Sequence, residues 1–424
     1  MAPTTLFICT VGGTPEPVVA TLLHWQPGRV SFVVSKDTEK NVKVALEKSA
    51  QAGFPLGPGQ YEIITVDDPQ SLDACVHAMR KLKAEASKWR SRGEDYETVV
   101  DFTGGTKCMS ASMALVAHTW RCRFSYVGGT ERTKDGVGIV IDGKESVLMT
   151  PNPWDSLGYQ VIEEAVTLSL HHHYAAAVAI LDDTFKRMSS SVAKSEAQAF
   201  RGLLNALALW ERFEHKEARE EFSRLKARAN DLHSALGEDT AHTVFNWIET
   251  AACPHLHAIL DSGGKANRAW VLDLLANAKR RIEEGRLEDA VARLYRAIET
   301  IAQVRLRENH GLENTAKIRV DELPSGLRKK WQSYARDDGT LQLPLRSQYE
   351  VLAEYGDPLG SAFKELGLAD HEKSALNARN QSILAHGFSP ASVKTVNELY
   401  TAALRLAGIE ETKLPQFPSL KEKD

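Results

Sequence analysis

The hydrophobic positions of this chain change period once, and the change divides it. Up to residue 153, short apolar and β-branched runs recur at 6–10, 30–34, 61–66, 98–101 and 123–127, separated by helix-length stretches at 38–51, 71–89 and 107–119. Strands alternating with helices predict a parallel sheet covered by helices. A closing hairpin is expected over 138–149, with Asp142-Gly143 as its turn. Beyond Pro151-Asn152-Pro153 the pattern turns helical, rich in Ala, Leu and Glu over 157–260. The Gly-containing stretch 261–267 reads as a hinge, and 268–408 is again mostly helical. There Leu287, Val291, Leu294, Ile298 and Ile301 step by four and three, an apolar seam for packing on other helices. The last residues, 413–424, hold two prolines and mixed charges and are expected to fray.

Composition narrows the class. At 424 residues the chain is too long for one core, and the pattern divides it at 1–153, 154–265 and 266–424. It is 43% hydrophobic and 25% charged, as an ordinary soluble globular protein is. A formal charge of −4 and a pI near 6.4 exclude a protein coated in nucleic acid, so any RNA contact must be local. Five scattered cysteines without a CxxC pair suit reduced thiols in a cytoplasm. No apolar run of about 18 residues and no leader pattern is present, which points to a cytoplasmic protein with no membrane partner.

Two glycine-rich loops each follow a predicted strand: Thr10-Val11-Gly12-Gly13-Thr14, and Asp101-Phe102-Thr103-Gly104-Gly105-Thr106-Lys107. In an open parallel sheet such loops gather at the carboxyl ends of strands, where ligands bind. Glycines admit close approach of backbone N–H groups, and the following helix offers its positive end to an anion. Thr103, Thr106 and Lys107 add two hydroxyls and a cation, a set suited to a phosphate or polyanionic nucleotide. Neither GxxxxGK[ST] nor GxGxxG is present, which sets aside a Walker A loop and a dinucleotide cofactor. A third loop, 128–136, carries Arg132 and is either a ligand contact or solvated surface.

Arg379 and His386 stand seven residues apart, which on a helix brings both to one face, and Gly387 marks where that helix stops. An imidazole moves protons near neutral pH, and a guanidinium steadies the extra charge of a phosphate transition state. The partial negative charge of a helix C-terminus should raise the pKa of His386. Three further groups have two readings each. His171-His172-His173 invites a metal, but neighbouring helical residues point 100° apart, which favours a solvated surface. The segment 328–334, with Arg328, Lys329, Lys330, Trp331 and Tyr334, is either a guide for single-stranded RNA or an amphipathic helix with a buried tryptophan. Arg296 and Glu299 either support a site or pair on the surface.

The two loops, the Asp101-x-Thr-Gly-Gly-Thr-Lys107 string above all, resemble a CARF domain. The C-terminal part, with 289–299 and the Arg379-x6-His386 motif, resembles a HEPN ribonuclease domain. Together they resemble the CARF–HEPN ancillary ribonucleases of type III CRISPR systems, over about two-thirds of the chain. The resemblance implies an α/β, Rossmann-like N-terminal CARF domain, then an all-α region and an all-α HEPN domain. It implies a homodimer that binds a cyclic oligoadenylate (four adenylates favoured, six allowed) as activator, with no cofactor or metal. Thr10, Val11, Gly12, Gly13, Thr14, Ser35, Thr103, Gly104, Gly105, Thr106, Lys107 and Arg132 then belong to the ligand-facing set. In the HEPN part, His386 transfers protons, Arg379 stabilises charge and Asn380 positions. The substrate implied is single-stranded RNA, cleaved to a 2′,3′-cyclic phosphate, and not DNA, which lacks the 2′-hydroxyl. Two variants remain open: a ring-binding regulator with a silent HEPN end, and a CARF domain that cleaves its ring through Thr10, Thr14 or Lys107.

Overall fold

The computed structural model describes residues 4–90, 96–118, 120, 122–129, 131, 140, 143–370, 374–377 and 388–420. The chain forms two compact units, Met1–Gln160 with Asp183–Lys194, and Val161–Asp182 with Ser195–Asp424.

In the first unit the order is β1 (Thr4–Thr10), α1 (Glu16–Trp25), β2 (Arg29–Ser35), α2 (Glu39–Gln51), β3 (Tyr61–Val66), α3 (Leu72–Arg90), β4 (Tyr96–Asp101), α4 (Lys107–Ala117), β5 (Arg123–Gly128) and β6 (Ser146–Pro151). The sheet runs β3-β2-β1-β4-β5-β6. Its first five strands are parallel and β6 is antiparallel to β5. Successive residues of β1 serve opposite cores. Leu6 and Ile8 pack with Val33, Val100, Met79 and Met113, while Phe7 and Cys9 pack with Val18, Leu22, Phe32 and Val42. A strand covered on both faces must be apolar throughout, which is why these strands read as continuous runs. Of the expected hairpin, β6 supplies the downstream arm, and its partner is β5, Tyr126 facing Leu148. Most of the upstream arm lies outside the described residues.

Short α5 (Pro153–Leu157) leads into α6 (Tyr159–Leu170), α7 (Tyr174–Phe185), α8 (Ser191–Glu211), α9 (His215–Leu225), α10 (Ala229–Leu236), α11 (Glu238–Trp247) and α12 (Cys253–Leu260). After a turn in which Gly263 and Gly264 take φ of 57° and 83°, α13 (Arg268–Glu283) and α14 (Leu287–His310) form an antiparallel pair. Val291, Leu294, Ile298 and Ile301 of the expected seam are buried there. The helices α15 (Ser325–Gln332), α16 (Leu345–Glu354), α17 (Pro358–Glu365) and α18 (Val393–Ala407) complete the unit. A two-residue ribbon, β7 (Ile318–Arg319) against β8 (Thr340–Leu341), interrupts the helical pattern. Among the described residues no helix is long and apolar enough to cross a membrane.

Two expectations need correction. The histidines 171–173 form the turn between α6 and α7, not part of a helix, with His172 at φ 60°. Its ring lies 3.1 Å from the Tyr174 hydroxyl and 3.0 Å from Glu283 Oε2, so it ties the turn to α13. The C-terminal tail does not fray over its described length, which ends at 420. Phe417 sits between Tyr174 and Trp210, ring centroids 5.7 and 5.0 Å away, with the Arg280 guanidinium 4.0 Å over its face. The Trp247 indole N–H donates to the Gln416 carbonyl at 2.8 Å. Aromatic burial and a cation over the ring outweigh the two prolines, a long-range contact that local composition does not reveal.

Candidate functional site

The strand order reverses between β1 and β4, so their carboxyl ends flank the crevice where open α/β sheets bind ligands. Both glycine-rich loops leave from those two ends. They brace one another through backbone, which explains the glycines. The Thr10 hydroxyl donates to the Gly104 carbonyl at 2.7 Å. A Cβ on Gly104 would come within 2.3 Å of the Thr10 carbonyl oxygen and 2.7 Å of the Gly12 nitrogen. A Cβ on Gly12 would reach the Gly105 nitrogen at 2.9 Å, and Gly105 itself has a φ of 83°. Only residues without a side chain let the loops lie this close.

Most side chains assigned to the ligand are committed inward. Thr103 accepts from the Val127 N–H at 2.8 Å. Thr106 caps α4, accepting from the Met109 N–H at 3.2 Å, and donates to the Pro69 carbonyl. Ser35 is buried and its hydroxyl pairs with that of Thr38 at 3.1 Å. Val11 is a core residue whose N–H donates to the Val33 carbonyl. Exposed at this end of the sheet are Gly13, Thr14, Gly105 and Lys107. The surface offered is therefore the backbone of the two loops, the N-terminus of α4, and the side chains of Thr14 and Lys107, a cradle for an anion. Arg132 lies outside the described residues.

Two supports, Asn41 and Ser110, were invisible in sequence. Asn41 on α2 donates its side-chain N–H to the Gly12 carbonyl at 2.8 Å, and the Ser110 hydroxyl donates to the Gly104 carbonyl at 3.1 Å. Asp101 is buried, which pushes its carboxyl above the usual carboxylate range, while the Thr103 N–H, donating to Oδ1 at 2.9 Å, opposes the shift and shapes the loop. Gly104→Ala should therefore cost about 1–3 kcal/mol of loop geometry and weaken binding of an anionic ring about tenfold or more in calorimetric titration. Gly13→Ala meets nothing within 4 Å and should leave the thermal midpoint unchanged.

Arg379, Asn380 and His386 lie outside the described residues, together with the helix end assigned to His386. The chain is anchored on both sides of them. Upstream, Leu376 is buried in the helical core. Arg346 donates to the Ala369 carbonyl at 2.9 Å and to Asn377 Oδ1 at 3.1 Å. Downstream, the Ala391 N–H donates to Glu288 Oε1 on α14 at 2.6 Å, and Ser392 caps α18. Arg296 pairs with Glu299 at 2.6 Å on an exposed face, the plainer of its two readings.

Comparisons with known proteins add to this geometry. Residues 260–410 match the family model of the Csm6 HEPN domain. Enterococcus italicus Csm6 bound to cyclic hexa-2′-fluoro-hexa-dAMP superposes with a TM-score of 0.53 at 14% identity, covering 97% of either chain. Can2 from Sulfobacillus thermosulfidooxidans, in complex with cyclic tetra-adenylate, gives a TM-score of 0.25 at 10% identity over 49% of this chain and 68% of its own. No curated protein matches the chain. The fold and the HEPN match define a two-part architecture, an N-terminal parallel-rich α/β sheet followed by a mostly helical region that carries a HEPN domain at 260–410. Beyond the HEPN match at 260–410, the likeness to Enterococcus italicus Csm6 is one of fold, along the length of the chain.

Proposed function

We propose that this protein is a cyclic oligoadenylate-activated, metal-independent endoribonuclease that cleaves single-stranded RNA in type III CRISPR defence. One observation carries the reading. A chain whose sheet presents paired glycine-rich loops at its switch point also matches a Csm6 HEPN model over a span that contains Arg379, Asn380 and His386. The ring bound by the Enterococcus italicus protein supports a cyclic oligoadenylate at those loops, and four and six adenylates are the sizes to compare. Sensing is assigned to 1–153 and cutting to 266–424, joined by 154–265.

The chemistry needs only these side chains. The ribose 2′-hydroxyl gives up its proton and attacks the neighbouring phosphorus, and the bond from phosphorus to the 5′-oxygen breaks. The leaving oxygen takes a proton, and a 2′,3′-cyclic phosphate remains. His386 handles the protons, Arg379 neutralises the charge building on the non-bridging oxygens, and Asn380 positions the phosphate. A symmetric ring suits a pocket shared by two copies. Exposed Leu115 on α4, with Tyr126 and Leu148 at the β5–β6 edge, supplies an apolar surface fit for a second copy. Ring binding and cutting then communicate as a coupling between two sites.

The test is cleavage of a fluorogenic single-stranded RNA without activator, with cyclic tetra-adenylate and with cyclic hexa-adenylate, each with and without a chelator. Cleavage should require one ring size, ignore the chelator and leave 2′,3′-cyclic phosphate ends. Bound rings without cleavage would instead make the protein a ring-dependent regulator. Linear products from the ring would point to Thr14 and Lys107, because the Thr10 hydroxyl is turned inward.

A further inference from the structure

A concavity of about 750 Å³ opens between α15, α16 and α17. Its floor is rigid. The rings of Tyr349 and Phe363 stack at 4.0 Å, and the Tyr349 hydroxyl donates to the Ile298 carbonyl at 2.8 Å. Gly360 lets α17 approach α16, since a Cβ there would fall 2.4 Å from the Ala353 nitrogen. The charged side chains of the wall are Lys330, Arg336, Arg346, Glu350 and Lys364, four cations against one anion in a protein of net charge −4. Lys330 is neutralised by Glu350, and Arg346 is spent on backbone carbonyls. Arg336 and Lys364 have no ion-pair partner among the described residues.

The tryptophan and tyrosine of 328–334 play different parts. Trp331 is 7% exposed and belongs to the core, whereas Tyr334 is 67% exposed. Trp331 braces the Tyr334 ring with centroids 5.3 Å apart. An exposed, braced ring beside unpaired cations is the combination that holds single-stranded nucleic acid. Bases stack on the ring and phosphates meet the cations, without dependence on sequence. The wall is also tied to the chain just before the segment of Arg379 and His386 in sequence. Ala369 lines the cavity, and the Arg346 side chain that holds its carbonyl also holds Asn377, two residues before Arg379.

We infer that this cavity is a substrate path for single-stranded RNA, in which Tyr334 stacks a base and Arg336 and Lys364 hold phosphates that flank the one to be cut. The inference rests on the ribonuclease reading, which it extends from the reacting phosphate to the flanking nucleotides.

The experiment is binding of a 2′-O-methyl oligonucleotide, which lacks the attacking hydroxyl, to the full-length protein with its ring activator. Anisotropy is read for wild type, Tyr334→Ala, Tyr334→Phe and the Arg336→Ala/Lys364→Ala pair, with cleavage kinetics alongside. Tyr334→Ala should weaken binding roughly tenfold, and Tyr334→Phe, which keeps the ring, should stay close to wild type. The charge pair should lower the salt slope of binding by about 1.4, from two phosphates at about 0.7 each. In cleavage, KM should rise while kcat holds, and unchanged ring binding in every variant reports an intact fold. Variants that lose oligonucleotide binding in a protein that never cleaves RNA would uphold the path and defeat the ribonuclease reading. Normal binding and KM in all variants, with RNA still cleaved, would overturn the path and leave that reading standing. Displacement of the oligonucleotide by polyglutamate of equal charge would also overturn it, by making the cavity a site for acidic peptides.

Discussion

Replacing His386 with alanine should lower the proposed ring-activated RNA cleavage by roughly 10²–10⁴-fold, the share a positioned general acid–base supplies. The size follows from the two proton movements of the reaction, off the 2′-hydroxyl and onto the departing 5′-oxygen. Water can replace the imidazole in neither with the same orientation. Outside the segment of His386, the chain is anchored at Leu376 and at Asn377, through Arg346, on one side and at Ala391, through Glu288, on the other. Ring affinity, read by calorimetry, stays at the wild-type value, since the glycine-rich loops belong to the other compact unit. Arg379→Lys keeps the charge but loses the planar fork, and falls between the two. The measurement is single-turnover cleavage at saturating ring. A His386→Ala protein that cleaves at the wild-type rate would place the chemistry on other residues.

Asp273→Ala costs about 3–5 kcal/mol of stability, as removing one member of a buried charge cluster does. Asp273, on α13, is 1% exposed. It accepts from the Trp210 indole N–H at 2.6 Å and faces His215 Nε2 at 2.9 Å and His255 Nε2 at 3.6 Å. Burial works against the carboxylate, yet the hydrogen bond from His215, with the His255 ring nearby, holds it well below the usual carboxylate range. The carboxylate therefore joins α8, α9 and α12 to α13, and its loss strands all three partners. At about 2–4 °C per kcal/mol for a unit of this size, the thermal midpoint falls by roughly 6–20 °C.

The pH dependence has a definite sign. A carboxyl whose pKa is lower folded than unfolded stabilises the protein fully above the unfolded value, about 3.9. That contribution is lost as the pH drops below it toward the folded value. The stability gap between wild type and Asp273→Asn should thus be constant from pH 7 to about 5 and narrow below about pH 4. A gap that widens on acidification would contradict the assignment of charge to Asp273.

Much of the architecture was legible because it depends on local pattern. Buried parallel strands carry continuous apolar runs at their centres, so β1, β2 and β4 announce themselves, and the seam of α14 repeats at helical spacing. The two loops were legible for a related reason: glycine pairs after a strand mark backbone that must approach something closely. What the glycines approach was not. Gly104 is fixed by the carbonyl of Thr10, 94 residues away, and the expected hydroxyl ligands Thr103 and Thr106 are tied to Val127, Met109 and Pro69. The tail misled because prolines and charges describe only its own preferences, while its order comes from Trp210, Trp247 and Arg280.

The sequence by itself determined the parallel sheet, the change to helices and the family resemblance, since strand period, helix period and short motifs are read within a few residues. Only the tertiary structure decided which hydroxyls stay free, that Tyr334 faces solvent while Trp331 does not, and that a buried Asp273 gathers Trp210, His215 and His255. Those outcomes depend on distances between residues far apart in the chain, and on which polar groups lose water when the elements close on one another.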